Sequence, residues 1–227
     1  MLDVHAPHKP LRGISEILIH LITITLGLLI ATQIEGCMEW RSHVHLAAEA
    51  RDSLRAEIQH NLQDLRDTEP GLKTWRGEID HDLEAMQRIQ DHPEDPAAQK
   101  ASVVLNFHAM SLRDTAWKTA QNTGALAYMP YAEAERYAEI YQDQSRFLEM
   151  EEKPEGDVSV MLGMIDRFRW NDTTKITKEQ ASEMAGKLGE MKLHLITGDL
   201  LLQETIEASD AFLQNRTPRE DFEEHWH

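Results

Sequence analysis

The sequence predicts an all-α protein in which an N-terminal transmembrane helix continues into a stalk helix and then an extramembrane helical bundle. Three observations predict this class. An uncharged apolar run extends from Ile17 to Ile34. After it, apolar residues recur every three or four positions, as they do on one face of an amphipathic helix. No segment alternates apolar and polar residues convincingly, as a half-buried β-strand does.

The transmembrane anchor is assigned to residues 14–36, after an irregular tail of residues 1–13. As a helix the uncharged run rises about 27 Å, close to the ~30 Å hydrocarbon thickness of a bilayer. The run is longer than the apolar part of a secretory signal, and no small-residue cleavage site follows it, which favours an uncleaved signal anchor. The alternative is a lipoprotein modified at Cys37, but Glu35 fits that cleavage pattern poorly.

The orientation of the anchor follows from its flanking basic residues. Lys9, Arg12 and the terminal amine precede the span, whereas Arg41 and Arg51 follow it within about twenty residues. Basic residues near a span favour the cytoplasmic side, so the bias places the N-terminus in the cytoplasm. We therefore expect a single-pass protein of a bacterial inner membrane, with its large domain in the periplasm.

One face of the anchor carries small and polar residues. His20, Thr23, Gly27 and Ala31 recur at helical spacing. Gly27 and Ala31 form a small-xxx-small pattern, which lets two helices approach closely in lipid. Single small residues are also common in such helices, and His20 near the end of the span has an interfacial position as its alternative. The face predicts helix–helix contact within the membrane.

The stalk helix is assigned to residues 37–70, where Glu69, Pro70 and Gly71 are expected to end it. Its apolar stripe includes Trp40, Val44, Ala47, Leu54 and Ile58. Such a stripe is covered either by the protein's own domain or by a neighbouring chain. We expect a stalk interface between chains near the membrane, within a homo-oligomer.

The bundle domain is assigned to residues 71–214, and residues 215–227 to a flexible acidic tail. Helices are predicted at about residues 72–90, 97–110, 130–152, 157–170 and from 178 onward. Turns rich in proline, glycine or asparagine separate them. Thr177 and Gln180 have the spacing of a capping box, which opens the last helix. That helix carries an apolar face formed by Ala181, Met184, Leu188, Met191, Leu195, Gly198 and Leu202.

Residues 114–129 form the most distinctive stretch of the bundle domain. Ala116, Ala120 and Gly124 give a ridge of small residues beside Trp117, which suits close helix packing. This pattern predicts that Trp117, Ala120 and Gly124 belong to the core. Alternatively, Asn122, Thr123 and Gly124 end one helix and open the next.

The composition argues against several classes of function. The net charge is −17, and without a basic patch we expect no nucleic-acid partner. The single cysteine, Cys37, excludes an intrachain disulfide framework. His43 and His45 point to different faces of a predicted helix, and a His225 and His227 pair in an extended tail would chelate only weakly. The remaining histidines lack metal-ligand spacing, and no catalytic or phosphate-binding motif is present. We therefore expect neither an enzyme nor a cofactor or metal site.

Two stretches resemble an uncharacterised group of bacterial single-pass membrane proteins. One is Gly27–Ile34 followed by a charged helix ending in Arg51–Glu57; the other runs from Thr115-Ala-Trp117 through Thr123-Gly-Ala-Leu126 into a tyrosine-rich helix. The resemblance implies a signal anchor and a helical extracytoplasmic domain, and it assigns no activity and no functional residues.

The expected function is that of an accessory or scaffold protein acting through protein–protein interaction, as a subunit of a membrane assembly. Its expected partners are membrane lipid, further copies of itself or a larger membrane complex. The alternative is a periplasmic sensor or ligand-binding module with a small molecule between helices. A pocket with convergent polar groups favours binding, whereas an exposed apolar stripe favours assembly.

Overall fold

The computed structural model describes residues 13–100, 102–105, 110–170 and 175–219. Of these residues 84% are helical and none lies in a strand, so the predicted all-α class is confirmed. The four α-helices of the described residues are α1 (Ile14–Asp91), α2 (Thr115–Asn122), α3 (Tyr131–Phe168) and α4 (Lys178–Leu213). Two short 3₁₀ segments, Ala98–Lys100 and Ala125–Tyr128, lie between them. The predicted tail at residues 1–12, the loop at 171–174 and the end of the acidic tail at 220–227 lie outside the described residues.

The chain divides into two compact units, and the boundary falls inside α1. The first unit ends at Glu49 and the second begins at Ala50. In the first unit, α1 is long and apolar enough to cross a membrane, and none of its apolar window is buried. In the second unit, α1 from residue 50, α3 and α4 build the hydrophobic core around large side chains such as Trp75, Phe147 and Met161.

The predicted end of the stalk helix at residues 69–71 is wrong, because α1 continues through Pro70 to Asp91. Proline inside a helix removes one hydrogen bond and costs about 3 kcal/mol. Leu72 and Trp75, two and five residues after Pro70, are almost fully buried. Burial of each such side chain contributes about 1.5–3 kcal/mol, which offsets the cost of the proline.

The predicted helix end at residues 153–156 is wrong for the same reason. Helix α3 runs through Pro154 and Gly156 to Phe168, so two predicted helices are one. Pro154 is itself buried, as are Asp157 and Val158 one turn later. Packing of this face of α3 therefore outweighs the local preference of proline and glycine to end a helix.

The predicted helix at residues 97–110 is also wrong. Among the described residues of this range, only Ala98–Lys100 are helical, as a single 3₁₀ turn, and residues 102–105 have no regular structure. Residues 101 and 106–109 lie outside the described residues. Val103 and Val104 are β-branched and disfavour a helix. The backbone N–H of Val104 donates to the Asp82 carboxylate at 2.9 Å, which ties the extended segment to α1.

Residues 114–129 follow the alternative in which the glycine ends a helix. Helix α2 ends at Asn122, and Gly124 has a φ of +72°, a left-handed conformation that L side chains rarely adopt. Gly124 therefore serves a turn rather than a packing ridge. Ala120 is buried, as predicted. Trp117 is only half-buried, so the prediction that it is a core side chain is wrong. Helix α2 has eight residues, and one side of it remains exposed.

The start and the buried face of α4 are confirmed. The side chain of Thr177 accepts a hydrogen bond from the backbone N–H of Gln180, and the Gln180 side chain accepts one from the backbone N–H of Thr177. All seven residues of the predicted apolar face are buried: Ala181, Met184, Leu188, Met191, Leu195, Gly198 and Leu202.

Candidate functional site: an exposed apolar helix and a polar cluster

From Ile14 to Leu46, the first unit exposes its helix on all sides. None of the described side chains from Ile14 to Leu46 is buried. Beyond the apolar run, Trp40 and Val44 remain 67% and 46% exposed. An apolar surface of this length is typical of a segment covered by lipid or by other protein chains.

The predicted membrane contact face lies entirely on this exposed helix. His20, Thr23, Gly27 and Ala31 are all exposed. Apart from its chain neighbours and the nearby backbone of α1, no atom of the described residues lies within 4 Å of the position that a Cβ on Gly27 would take, so the backbone there is open to close approach. The Thr23 hydroxyl donates to the backbone carbonyl of Ile19 at 2.8 Å. Its hydrogen is thereby used within its own helix, and a contact between helices would rest on packing rather than on this donor.

The predicted stalk stripe separates into two parts. Leu54 and Ile58 are fully buried within the second unit and belong to its core. In the first unit Ala47 is also buried, whereas Trp40 and Val44 are exposed. The exposed part of the stripe is therefore confined to the residues nearest the apolar run.

A buried carboxylate joins α1, α2 and α3 in the second unit. The Glu57 carboxylate accepts hydrogen bonds from the backbone N–H groups of Ala116 and Trp117, at 2.9 and 3.3 Å. These N–H groups open α2 and have no partner within their own helix. The Tyr141 hydroxyl of α3 donates to the same carboxylate at 2.7 Å. Burial and this bond raise the pKa of Tyr141 above its usual range.

A second buried polar side chain lies one turn further along α1. The Asn61 amide accepts from the backbone N–H of Arg113 at 2.9 Å and donates to the Arg113 carbonyl at 2.8 Å. It also donates to Oε1 of Gln144 at 2.8 Å. Glu57 and Asn61 together fix the segment before α2 and the start of α2 against α1 and α3.

Two carboxyl groups of the second unit are buried and form no ion pair with the described residues. Burial raises the pKa of Asp82 to about 6, although the Val104 N–H counteracts this. Burial, with a smaller contribution from the charge of Glu155, raises the pKa of Glu151 to about 7. Asp82 Oδ1 has no hydrogen-bond partner among the described residues. Folding therefore shifts both groups towards the protonated form, relative to the unfolded chain.

Other charged groups of the second unit form ion pairs between helices. Asp157 of α3 contacts Lys187 and His194 of α4, each at 2.6 Å. Arg51 of α1 makes a two-pronged bond with Glu133 of α3, at 2.6 and 2.9 Å. Such pairs orient helices, and they contain no arrangement of nucleophile and base. Within the described residues, no group of three or more His, Cys, Asp or Glu side chains is placed to hold a metal ion.

Sequence reasoning missed the buried pair Glu57 and Asn61. A glutamate and an asparagine in a charged helix are usually solvent-exposed. The available signal was their position, because Leu54, Glu57, Asn61 and Leu65 follow one another at steps of three and four and so share one face. Polar residues on an apolar face indicate buried hydrogen bonding, but not the identity of the partners.

No protein-family model matches the chain, and neither a curated protein nor a solved structure matches it. The long apolar helix near the N-terminus is compatible with a single-pass membrane protein.

Proposed function

We propose that the protein is a membrane-anchored scaffold subunit that acts through protein–protein contact, with a second copy of itself as its first partner. The observation that carries the proposal is the first unit, in which no described side chain before Ala47 is buried. Lipid covers such a surface over about 18 residues of helix. The scaffold role is supported by the length of this apolar helix and by the exposure of its side chains, because such a surface is available for contact with other protein chains.

The contact between copies is assigned to the Gly27 and Ala31 face. In lipid there is no hydrophobic driving force between helices, so close packing at small residues drives association. Gly27 offers an open backbone surface for this approach. The proposed contact therefore lies in the membrane, where the second unit plays no part in it.

Trp40 and Val44 occupy a different side of the helix. Trp40 follows Gly27 by 13 residues, and at 100° per residue this places it about 140° away from Gly27 around the axis. Trp40 also lies about 9 Å beyond Ile34, at the depth of the headgroup region, where tryptophan is enriched. We assign Trp40 to the membrane interface rather than to the contact between copies.

The domain is proposed to lie outside the cytoplasm, in the periplasm of a bacterium. Lys9 and Arg12 lie within five residues of the anchor, whereas only Arg41 lies as close after it, and this bias supports the orientation. A periplasm-active reporter fused after His227 is expected to be active, whereas activity of only a cytoplasm-dependent reporter would refute the orientation. The membrane fraction should contain the full-length chain, since a cleaved signal sequence would leave a shorter, released protein.

Self-association is tested by Gly27→Leu combined with Ala31→Leu. Two leucine side chains on this face would keep the backbones apart, so the oligomer should dissociate in mild detergent. The measurement is the molecular mass of the protein–detergent complex by light scattering. The matched control is Thr25→Leu with Thr32→Leu, which adds two leucines to exposed positions outside the contact face. A monomeric wild type, or equal dissociation of both variants, would refute the proposed contact.

A further inference from the structure

A buried carboxyl group of α3 faces α4 in the second unit. Glu151 is 7% exposed and packs against α4 at Gly198. A Cβ on Gly198 would lie 3.6 Å from Oε1 of Glu151 and 3.8 Å from Cγ of Met150. Glycine has no side-chain donor, and the backbone N–H of Gly198 lies inside α4, where a helix hydrogen bond uses it. The surface that Gly198 offers to Glu151 therefore contains no free hydrogen-bond donor.

No cation of the described residues neutralises Glu151. Its carboxylate accepts no hydrogen bond and forms no ion pair with the described residues, and Glu155, one turn later on α3, is also acidic.

The cations of α1 that act on this part of α4 are engaged by other carboxylates. Arg76 bonds to Asp199, which follows Gly198, at 2.7 Å. Lys73 is influenced by the charge of Asp199 and bonds to Glu69 at 2.6 Å. A negative charge on Glu151 would therefore remain without compensation in the packed state.

The helix around Glu151 is locally weakened. Pro154 has no backbone N–H, so the carbonyl of Met150 receives no hydrogen bond from the residue four positions later. Gly156 is also a poor helix former. Pro154, Asp157 and Val158 are buried, so packing rather than local preference holds this part of α3 in place. A segment of this kind opens locally at a lower free energy than the whole domain does.

We propose that the part of α3 from Glu151 to Asp157 is a pH-responsive joint, which stays packed on α4 while Glu151 is protonated and opens locally when Glu151 is ionised. The direction follows from proton binding. Burial raises the pKa of Glu151, so the packed state binds this proton more tightly than the open state does. The contribution of Glu151 to packing is fully present below about pH 4.5 and is lost as the pH rises through about 7. The joint is independent of self-association, because its residues all belong to the second unit.

A second titratable group contacts the same part of α3. His194 of α4 lies 2.6 Å from the Asp157 carboxylate, and this contact is an ion pair only when the imidazole is protonated. Lys187 of α4 also contacts Asp157 at 2.6 Å, and these two contacts raise the pKa of Lys187 further, so it stays charged at pH 8. Asp157 therefore keeps a cationic partner when His194 loses its proton, and we assign the opening to Glu151.

The test is hydrogen exchange, followed by mass spectrometry, of the full-length protein in lipid nanodiscs at pH 5.5 and pH 8, with correction for the intrinsic exchange rate. At pH 8, residues 147–158 should be less protected than residues 54–62 of α1, which belong to the core. Between pH 5.5 and pH 8 the protection of residues 147–158 should fall at least about tenfold, because each unit of pKa difference allows about a tenfold change. A smaller fall, or equal protection of the two segments at pH 8, would overturn the proposal.

Four variants assign the opening to one side chain. Glu151→Gln and Glu151→Met carry no charge, so the protection of residues 147–158 should change less than about twofold between the two pH values. The methionine variant introduces no unpaired polar group, so it keeps the test decisive should Glu151→Gln fail to fold. The matched control Glu152→Gln makes the same change at the next position, which is exposed, and should keep the wild-type fall. A fall that persists in the folded Glu151 variants, or one that His194→Gln abolishes, would refute the assignment to Glu151.

Discussion

Replacing Asp82 by asparagine should stabilise the protein at pH 8 and not at pH 4. Burial raises the pKa of Asp82 from 3.8 to about 6. Each pKa unit corresponds to about 1.4 kcal/mol, so holding the ionised carboxylate in the folded state costs about 3 kcal/mol. The side-chain oxygen of asparagine can still accept the hydrogen bond from the Val104 N–H. Its NH₂ group would take the place of Oδ1, which has no partner among the described residues, and this unpaired donor costs about 1 kcal/mol. The expected net gain at pH 8 is about 2 kcal/mol.

The sign of the pH dependence follows from proton binding. Because the pKa of Asp82 is raised in the folded state, the folded protein binds this proton more tightly than the unfolded chain does. This group's contribution to the free energy of unfolding is therefore fully present below about pH 4 and is lost as the pH rises to about 6. Asp82→Asn should not show this loss. Glu151, whose pKa is also raised, is present in both proteins and cancels from the difference.

The assay is denaturant unfolding of the full-length protein in detergent, followed by circular dichroism at pH 4 and pH 8. Asp67→Asn is the matched control, since Asp67 lies on the same helix, is exposed and accepts only a solvent-exposed bond from Gln63. Its effect should stay within about 0.5 kcal/mol at both pH values. An Asp82→Asn variant no more stable than the wild type at pH 8, or one matched by Asp67→Asn, would refute the reasoning.

Three further substitutions test the packing of the second unit by the same unfolding measurement. Asn61→Ala should cost about 2–4 kcal/mol, because it leaves the Arg113 N–H and carbonyl and the Gln144 Oε1 without their partner. The control Gln63→Ala, on the exposed side of the same helix, should change the free energy of unfolding little. Trp117→Ala should cost about 1–3 kcal/mol, because the ring is half-buried and stacked on Tyr141. This is less than the cost expected for a fully buried tryptophan. A cost no larger than that of Trp40→Ala, at an exposed tryptophan, would contradict the prediction. Thr177→Ala should cost about 1 kcal/mol by removing the capping box, and Thr197→Ala, whose hydroxyl bonds only to its own helix, should not.

The features predicted correctly from the sequence are those that depend on neighbouring residues. The capping box at Thr177 and Gln180 requires only a spacing of three, and the face from Ala181 to Leu202 requires only helical periodicity. Both are set within a few turns of the chain, so the sequence determines them directly.

The features predicted wrongly depend on contacts distant in the sequence. Pro70 and Pro154 are strong local signals for a helix end, yet burial of the residues that follow them keeps α1 and α3 continuous. The segment at residues 102–105 is held by Asp82, some twenty residues earlier. The partners of Glu57 and Asn61 lie more than 50 residues away, and periodicity within α1 contains no information about them.

The central claim, contact between two copies along the Gly27 and Ala31 face, is tested most directly by disulfide formation in native membranes. Ile34 follows Gly27 by seven residues, which places it within about 20° of Gly27 around the helix. Gly36 follows Gly27 by nine residues and lies on the opposite side of the helix. Apart from its chain neighbours and the nearby helix backbone, a Cβ there would meet no atom of the described residues within 4 Å. In a Cys37→Ser background, Ile34→Cys should therefore form a disulfide-linked dimer on oxidation, and Gly36→Cys should not. A dimer at Gly36→Cys but not at Ile34→Cys, or at neither position, would contradict the account.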